Sequence, residues 1–318
     1  MKKIIIVFLL VFLLMMICGC SNDQKKDDEH LKIVTTTFPL YDWVISLLKD
    51  NPAGIEITML LDKGVDLHSY QPTAKDVMDI KNCNIFVYVG GESDEWVDDV
   101  FANNDNSSPI VIDMMDCLKS NLKVEELKEG METEGEGEED EYDEHIWLSL
   151  KNAMVCIEQI CEKLIQLDAD NKDYYLSNRD KYLSQLSDLD KEYVKTVSQA
   201  KNKTLIFGDR FPFRYLFDDY GIDYYAAFKG CSAESEASFE TIVFLAGKAD
   251  ELNQKYIMII DGSNGKIAAT INENTQAKNL RIVSLDSLQS CTMEDHLKGK
   301  SYLSVMNDDL IVLKEVLN

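Results

Sequence analysis

Residues 171–200 read NKDYYLSNRDKYLSQLSDLDKEYVKTVSQA, a stretch without proline or glycine. Its apolar and aromatic side chains recur at spacings of 7, 4, 3, 4 and 4 residues, which places them on one face of an α-helix. These side chains are Tyr175, Tyr182, Leu186, Leu189, Tyr193 and Val197. A helix of about 30 residues is roughly 45 Å long. The stretch therefore predicts a long, rigid helix that joins two lobes.

Strand and helix patterns alternate on both sides of this helix. The predicted strands are residues 31–36, 55–61, 85–89 and 110–112 before it, and 204–207, 224–228, 256–260 and 281–285 after it. Alternation of this kind is typical of parallel sheets covered by helices. We predict an α/β fold with two lobes, each a parallel four-stranded sheet flanked by helices. The lobes are residues 31–149 and 203–318, and residues 150–202 form the helical segment between them.

Local signals place the first helices. Phe38-Pro39-Leu40 is predicted to break the chain after the first strand, so that a helix begins at Tyr41 and runs to Asp50. Thr73 is predicted to cap the next helix, with Asp76 at the third helical position.

The N-terminus carries the pattern of an export signal. Two lysines precede an unbroken apolar run of 14 residues at positions 4–17, which is too short to span a bilayer as a helix. Cys18-Gly19-Cys20 follows, and a small residue before a cysteine resembles a bacterial lipobox. We predict a signal peptide over residues 1–19, lipid on Cys20 and a flexible tether over residues 20–30. An ordinary secretory signal cut elsewhere is the alternative.

Composition limits the partners but does not identify them. The formal charge of −25 argues against nucleic acid, whose backbone attracts Lys and Arg. Surface carboxylates that only keep a protein soluble would give the same number. Six cysteines follow the lipobox, and an exported protein could hold them as disulfides or as buried thiols; both remain open. No CxxC or CxxH zinc pattern occurs among them.

Residues 125–144 form an acidic segment, in which twelve of the twenty residues are Asp or Glu. This composition predicts a solvated, disordered loop. The loop could concentrate cations by its electrostatic field, or it could be a linker without a further role.

Two histidines stand where ligand sites form in α/β proteins. His68 lies between a predicted strand and the following helix, and such carboxyl ends of parallel strands are where ligands bind. His145 directly follows the acidic segment. A histidine in a loop is more often a surface residue than a metal ligand, so neither position is decisive alone.

Two motifs around these histidines resemble a known family, the zinc- and manganese-binding substrate-binding proteins of ABC importers (cluster A-I). Residues 64–73, GVDLHSYQPT, resemble the family's G-x-D-P-H-x-Y-x-P-T except for Leu67. Residues 143–148, DEHIWL, resemble its D-P-H-x-W-L except for Glu144. The opening TTTFPLY at residues 35–41 is also similar, and the likeness extends in order over residues 31–318.

The resemblance implies a metal site between the lobes with four ligands, namely His68, His145, Asp209 and Asp286. Asp209, eleven residues before Tyr220, stands where the family carries His or Glu, and Arg210 could claim it as an ion pair. Asp286 could instead cap a helix. Glu236 and Asp261 are weaker candidates. Two imidazoles and two carboxylates around a divalent ion would be formally neutral, which avoids burying net charge.

The cargo and partners also follow from the resemblance. The ligand set suits tetrahedral Zn²⁺, whereas bidentate carboxylates would suit Mn²⁺. The expected protein is a monomer on the outer face of the cell membrane, held by the lipid on Cys20, that delivers the ion to an ABC permease and ATPase with little lobe movement. No catalysis is expected. A surface adhesin of the same fold and a metallohydrolase are the alternatives, although no H-E-x-x-H motif occurs.

Overall fold

The computed structural model describes residues 30–102, 109–132, 141–232 and 236–318. Residues Leu31–Asn318 form one compact unit. The predicted signal peptide, Cys20 and the tether before His30 lie outside the described residues. Among the helices of the described ranges, none has the length and apolar character needed to cross a bilayer.

The first half contains a parallel sheet with the strand order β2-β1-β3-β4. Its strands are β1 (Lys32–Thr35), β2 (Glu56–Met59), β3 (Ile85–Tyr88) and β4 (Ile110–Asp113). Its helices are α1 (Phe38–Leu48), α2 (Ala74–Lys81), α3 (Trp96–Phe101) and α4 (Met114–Leu118). Thr73 caps α2 in a reciprocal capping box with Asp76, as predicted.

The second half repeats this arrangement, with the parallel order β6-β5-β7-β8. Its strands are β5 (Thr204–Phe211), β6 (Asp223–Lys229), β7 (Tyr256–Ile260) and β8 (Arg281–Leu285). After α5 and α6, described below, its helices are α7 (Arg214–Tyr220), α8 (Phe239–Glu251), α9 (Lys266–Asn274), α10 (Met293–Leu297) and α11 (Tyr302–Val316). The predicted fold class, two parallel four-stranded sheets with a long helix between them in sequence, is therefore confirmed.

Helices α5 (Leu150–Leu167) and α6 (Lys172–Ser198) connect the two halves in sequence. All six stripe residues of the 27-residue helix α6 are buried, as the spacing predicted. Its side chains bond to both halves: the Asn178 amide donates to the Leu47 carbonyl at 2.9 Å, and the Tyr193 hydroxyl donates to the Met306 carbonyl at 2.6 Å. The helix is thus fixed to both halves.

The two sheets share one apolar core. A single cluster of buried side chains extends from Ile33 in β1 to Leu317 after α11, and a smaller second cluster lies in the second half around Ile206 and Leu245. Polar contacts cross between the halves as well, since the Trp147 indole donates to the Ser287 carbonyl at 2.9 Å and the Tyr302 hydroxyl donates to the Trp147 carbonyl at 2.6 Å. The two halves therefore pack around a common core and belong to one compact unit.

The predicted break at Phe38-Pro39-Leu40 was wrong. Helix α1 begins at Phe38, and Pro39 lies in its first turn. Proline is tolerated there because the first amide groups of a helix have no partner within the helix.

The prediction of a solvated, disordered acidic loop was wrong for the described ends of that segment. Val124 pairs with Tyr142 in an isolated antiparallel bridge, and the Glu125 amide donates to the Glu141 carbonyl at 2.8 Å. The Glu132 amide donates to the Ala227 carbonyl of β6 at 2.9 Å. Backbone pairing, which composition does not reveal, therefore attaches the segment to the second half; residues 133–140 lie outside the described ranges.

Asp42 of α1 is a buried carboxyl between the halves. It accepts hydrogen bonds from the Tyr302 amide at 3.1 Å and the Tyr182 hydroxyl at 3.3 Å. Burial raises the pKa of Asp42 from 3.8 to about 6, against the opposing effect of these bonds and of His296.

Asp42→Asn should change how stability depends on pH. The native carboxyl keeps its proton at a higher pH than the unfolded one, so the contribution of Asp42 to stability is lost as the pH rises from about 4 to about 6. The free energy of unfolding of Asp42→Asn, relative to the parent, should rise across this window by on the order of 2–3 kcal/mol. Urea denaturation at several pH values measures the difference. A difference that stays flat across this window would contradict the prediction.

Candidate metal centre

The candidate site lies where the carboxyl ends of strands from both sheets meet. His68 follows β2 and His145 follows the segment after β4, whereas Asp209 lies near the end of β5 and Cys231 follows β6. A cavity of about 580 Å³ opens beside them, with His68, Asp209, Asp261 and Gln289 in its wall. Parallel sheets place ligand sites at such strand ends.

The two imidazole rings face each other through their Nε2 atoms. These atoms are 3.3 Å apart, and the ring centroids are 5.1 Å apart. His145 is completely buried and His68 is partly buried. The two histidines therefore meet as predicted, although their motifs are 77 residues apart in the chain.

A carboxylate lies against the other nitrogen of each ring. Asp143 Oδ1 is 2.9 Å from His145 Nδ1, and Glu144 Oε2 is 3.3 Å from His68 Nδ1, which also lies 2.8 Å from the Ser93 hydroxyl. A carboxylate near Nδ1 favours the tautomer that carries the ring proton there, in which Nε2 keeps its lone pair. Both rings are thus oriented to offer Nε2 to the same point.

Glu144 stands where the family motif has proline, and it has a structural role. Its Oε1 atom accepts a hydrogen bond from the Ser93 amide at 2.8 Å, and it is buried. Burial raises the pKa of Glu144, but the hydrogen bonds of His68 and Ser93 outweigh burial and hold the pKa below its usual value. The group therefore stays ionised beside the imidazole.

Cys231 completes the cluster. The ligand atoms of His68, His145 and Cys231 all lie within 4.8 Å of one another. Among the residues that the structure describes, these three side chains form the group that could hold one metal ion. Cys231 is a free cysteine. Imidazole and thiolate are both ligands of transition metals.

Gly230 allows this close approach. A Cβ atom at Gly230 would lie 2.9 Å from the Phe211 carbonyl oxygen and 3.2 Å from two atoms of the His145 ring. These contacts are tighter than side chains normally tolerate, so only glycine lets the loop lie this close to His145.

Asp209 lines the cavity but is not part of the three-residue cluster. It lies inside β5, at a register shift between Phe207 and Arg210, because β5 continues four residues beyond the predicted strand. Its Oδ1 accepts from the Arg210 amide at 2.9 Å, while its Oδ2 is buried without a hydrogen-bond partner.

Arg210 does not form an ion pair with Asp209, which was the alternative that the sequence left open. Its guanidinium instead lies 2.6 Å from Asp66 Oδ2, in the loop that carries His68, and donates to the Ser232 carbonyl at 3.2 Å. The ion pair joins the two halves at the site and leaves Asp209 Oδ2 free of the guanidinium.

Asp286 is not part of the three-residue cluster. The Lys300 ammonium donates to its Oδ2 at 2.7 Å, and its Oδ1 accepts from the Leu288 amide at 2.8 Å. Burial and neighbouring Asp261 raise the pKa of Asp286, and Lys300 opposes them. Asp286 thus accepts a hydrogen bond that closes a local turn and forms an ion pair with Lys300, and it does not cap a helix.

The sequence motifs do not predict Cys231, Ser93 or Gln289 at this site. The Gln289 side-chain amide contacts His145 Nε2. The strand-end rule that selected His68 also applies to Cys231, which comes two residues after β6. No comparable signal marks Ser93 or Gln289, because their roles depend on how the loops pack.

Two parallel sheets with matching strand order, a long helix packed against both halves and a histidine pair where the sheets meet define a two-lobed α/β protein with a candidate metal centre. The chain belongs to the family described as the periplasmic component A of a zinc-uptake complex (ZnuA), which matches residues 33–316.

Similar proteins and solved structures support this family assignment. The chain is 31% identical over 307 residues to the zinc-binding lipoprotein AdcA of Streptococcus pneumoniae (strain ATCC BAA-255 / R6), covering 93% of this chain but 57% of that protein's length. It is 29% identical to the high-affinity zinc uptake system protein ZnuA of Bacillus subtilis, covering 94% and 92% of the two chains. The Zn(II)-bound ZnuA-like domain of S. pneumoniae AdcA superposes with a TM-score of 0.72 at 28% identity, over 91% of this chain and 99% of that one.

Gly230→Ala should weaken metal binding. The added methyl group must displace either the Phe211 backbone or the His145 ring, and misplaced ligand support typically costs 10- to 100-fold in metal affinity. Competitive zinc titration measures the change.

Gly247→Ala is the matched control, because a Cβ in the middle of α8 would meet nothing within 4 Å. It should leave the affinity unchanged and stabilise the protein by about 0.5–1 kcal/mol. Equal affinities for both variants would show that the space at Gly230 does not matter.

Proposed function

We propose that this protein is the extracytoplasmic substrate-binding component of a zinc importer. The observation that carries the proposal is the pair of Nε2 atoms 3.3 Å apart, each on a ring whose Nδ1 faces a carboxylate. Two lone pairs directed at one point repel each other unless a cation or proton lies between them. Relatives named for zinc binding and zinc uptake support zinc as the cation.

His68 and His145 are the proposed core of the ligand set, and Asp209 is a proposed oxygen ligand. Asp209 Oδ2 is buried without a hydrogen-bond partner, a costly state that metal coordination would relieve. Asp286, the fourth residue of the predicted set, is engaged by Lys300 and lies outside the three-residue cluster. Mn²⁺ is the less favoured cargo, because the relatives are named for zinc.

The partners we propose are an ABC permease and ATPase that accept the ion, with the protein as a monomer held to the outer face of the membrane by lipid on Cys20. The lipobox-like Cys18-Gly19-Cys20 and the lipoprotein among the relatives support the anchor. Capture and delivery require no catalysis.

His68→Ala should lose high-affinity zinc binding. Loss of a ligand should cost more than about 100-fold, beyond the range for changes that only disturb ligand orientation. Isothermal titration with a competing chelator measures the affinity. His30→Ala, an exposed histidine, is the control and should bind zinc like the parent. If His68→Ala matches that control, the site is elsewhere.

Cys20→Ser should release the protein from the membrane. Without a thiol at position 20 no lipid can be attached, so cell fractionation should find the variant in the soluble fraction and fatty-acid labelling should fail. Cys18→Ser, two residues earlier, should remain labelled and membrane-bound. Membrane retention of unlabelled Cys20→Ser would refute the anchor.

A further inference from the structure

The thiol of Cys231 has no role in the metal site implied by the family resemblance, yet it is the third member of the cluster. Its Sγ atom lies within 4.8 Å of the ligand nitrogens of His68 and His145. We propose that Cys231 binds the ion as a thiolate, so that the site holds zinc through nitrogen and sulfur. The inference rests on the proposed function, since it assumes that the two histidines bind metal.

The protein holds the Cys231 loop in place from two sides. The Cys231 amide donates to Glu125 Oε1 at 2.9 Å, and Lys229 Nζ lies 3.5 Å from Glu125 Oε2. Gly230 packs against the His145 ring without room for a side chain. A cysteine on an unconstrained loop would lack these supports, so the thiol is positioned by the fold.

The positions of the carboxylates favour a thiol ligand. Asp286 is bound to Lys300 at 2.7 Å and to the Leu288 amide, so its charge is already compensated. Two neutral imidazoles, the Cys231 thiolate and Asp209 would together balance a divalent ion. The sulfur ligand therefore preserves the neutrality expected of a buried site.

Binding would be a simple exchange of a proton for the metal. The S–H bond of Cys231 breaks, its proton passes to water, and the sulfur lone pair forms the bond to zinc. No electrons are transferred. Thiolate ligands favour zinc, whereas manganese prefers oxygen, so Cys231 would make this site select zinc over manganese.

Cobalt(II) is the direct probe because it can occupy a zinc site. When a thiolate binds cobalt(II), a sulfur-to-metal charge-transfer band appears in the near ultraviolet. The parent loaded with one equivalent of cobalt should show this band, and zinc should abolish it. Cys231→Ser should lose the band and bind zinc at least about tenfold more weakly. Cys117→Ser, a partly buried thiol in α4, is the matched control and should keep both.

A second measurement uses the parent alone and does not depend on a variant folding. Zinc should protect Cys231 from iodoacetamide, with the modified peptide identified by mass spectrometry. Cys231→Asp should shift the zinc-to-manganese affinity ratio toward manganese, because it replaces sulfur with oxygen.

The outcomes separate the two proposals. If the parent binds zinc and His68→Ala abolishes binding, but the parent shows no charge-transfer band and no protection of Cys231, the thiolate is refuted and the importer function stands. If the parent binds no zinc, the proposed function fails as well. A band that persists in Cys231→Ser would assign the sulfur to another residue.

Discussion

The geometry of the site depends on two carboxylates that orient two imidazoles. Asp143 and Glu144 are neighbours in the chain, yet each faces the Nδ1 atom of a different histidine. One dipeptide thus orients both rings, one of them on its own segment and the other in the loop after β2. If either carboxylate were missing, one ring could move its proton to Nε2 and direct a donor toward the metal position.

This orientation can persist because the surrounding frame is rigid. The shared core and helix α6 fix the two sheets relative to each other, and the Arg210–Asp66 ion pair joins the loops at the site itself. Close-packed interiors deform little, so this frame supports the loops that carry the two rings.

The fold was largely predictable from the sequence because the signals are local and repeated. Buried strands of β-branched residues, the stripe of α6 and the Thr73 capping box each depend on neighbours in the chain. The failures also had local causes. Pro39 predicts a break in the chain, but the first turn of a helix accepts proline. The acidic composition gives no sign of the backbone hydrogen bonds of Glu125 and Glu132.

The site was predictable only in part. The histidines stand in recognisable motifs, and the structure brings them together. Which further side chains come near them depends on loop packing: the bulge in β5 sets the position of Asp209, Lys300 holds Asp286, and the space at Gly230 admits Cys231. None of these contacts is encoded in spacing along the chain.

The attachment of the acidic segment to the loop after β6 has a consequence for how cargo could leave. Glu125 bonds to the Cys231 amide, and Glu132 bonds to β6. Because the two halves share one core, the contacts of Glu125 and Glu132, rather than a hinge between the halves, are those that would have to change for the proposed cargo to leave. A partner that displaced these described ends of the acidic segment would act on the Cys231 side of the cluster before it acted on either ring.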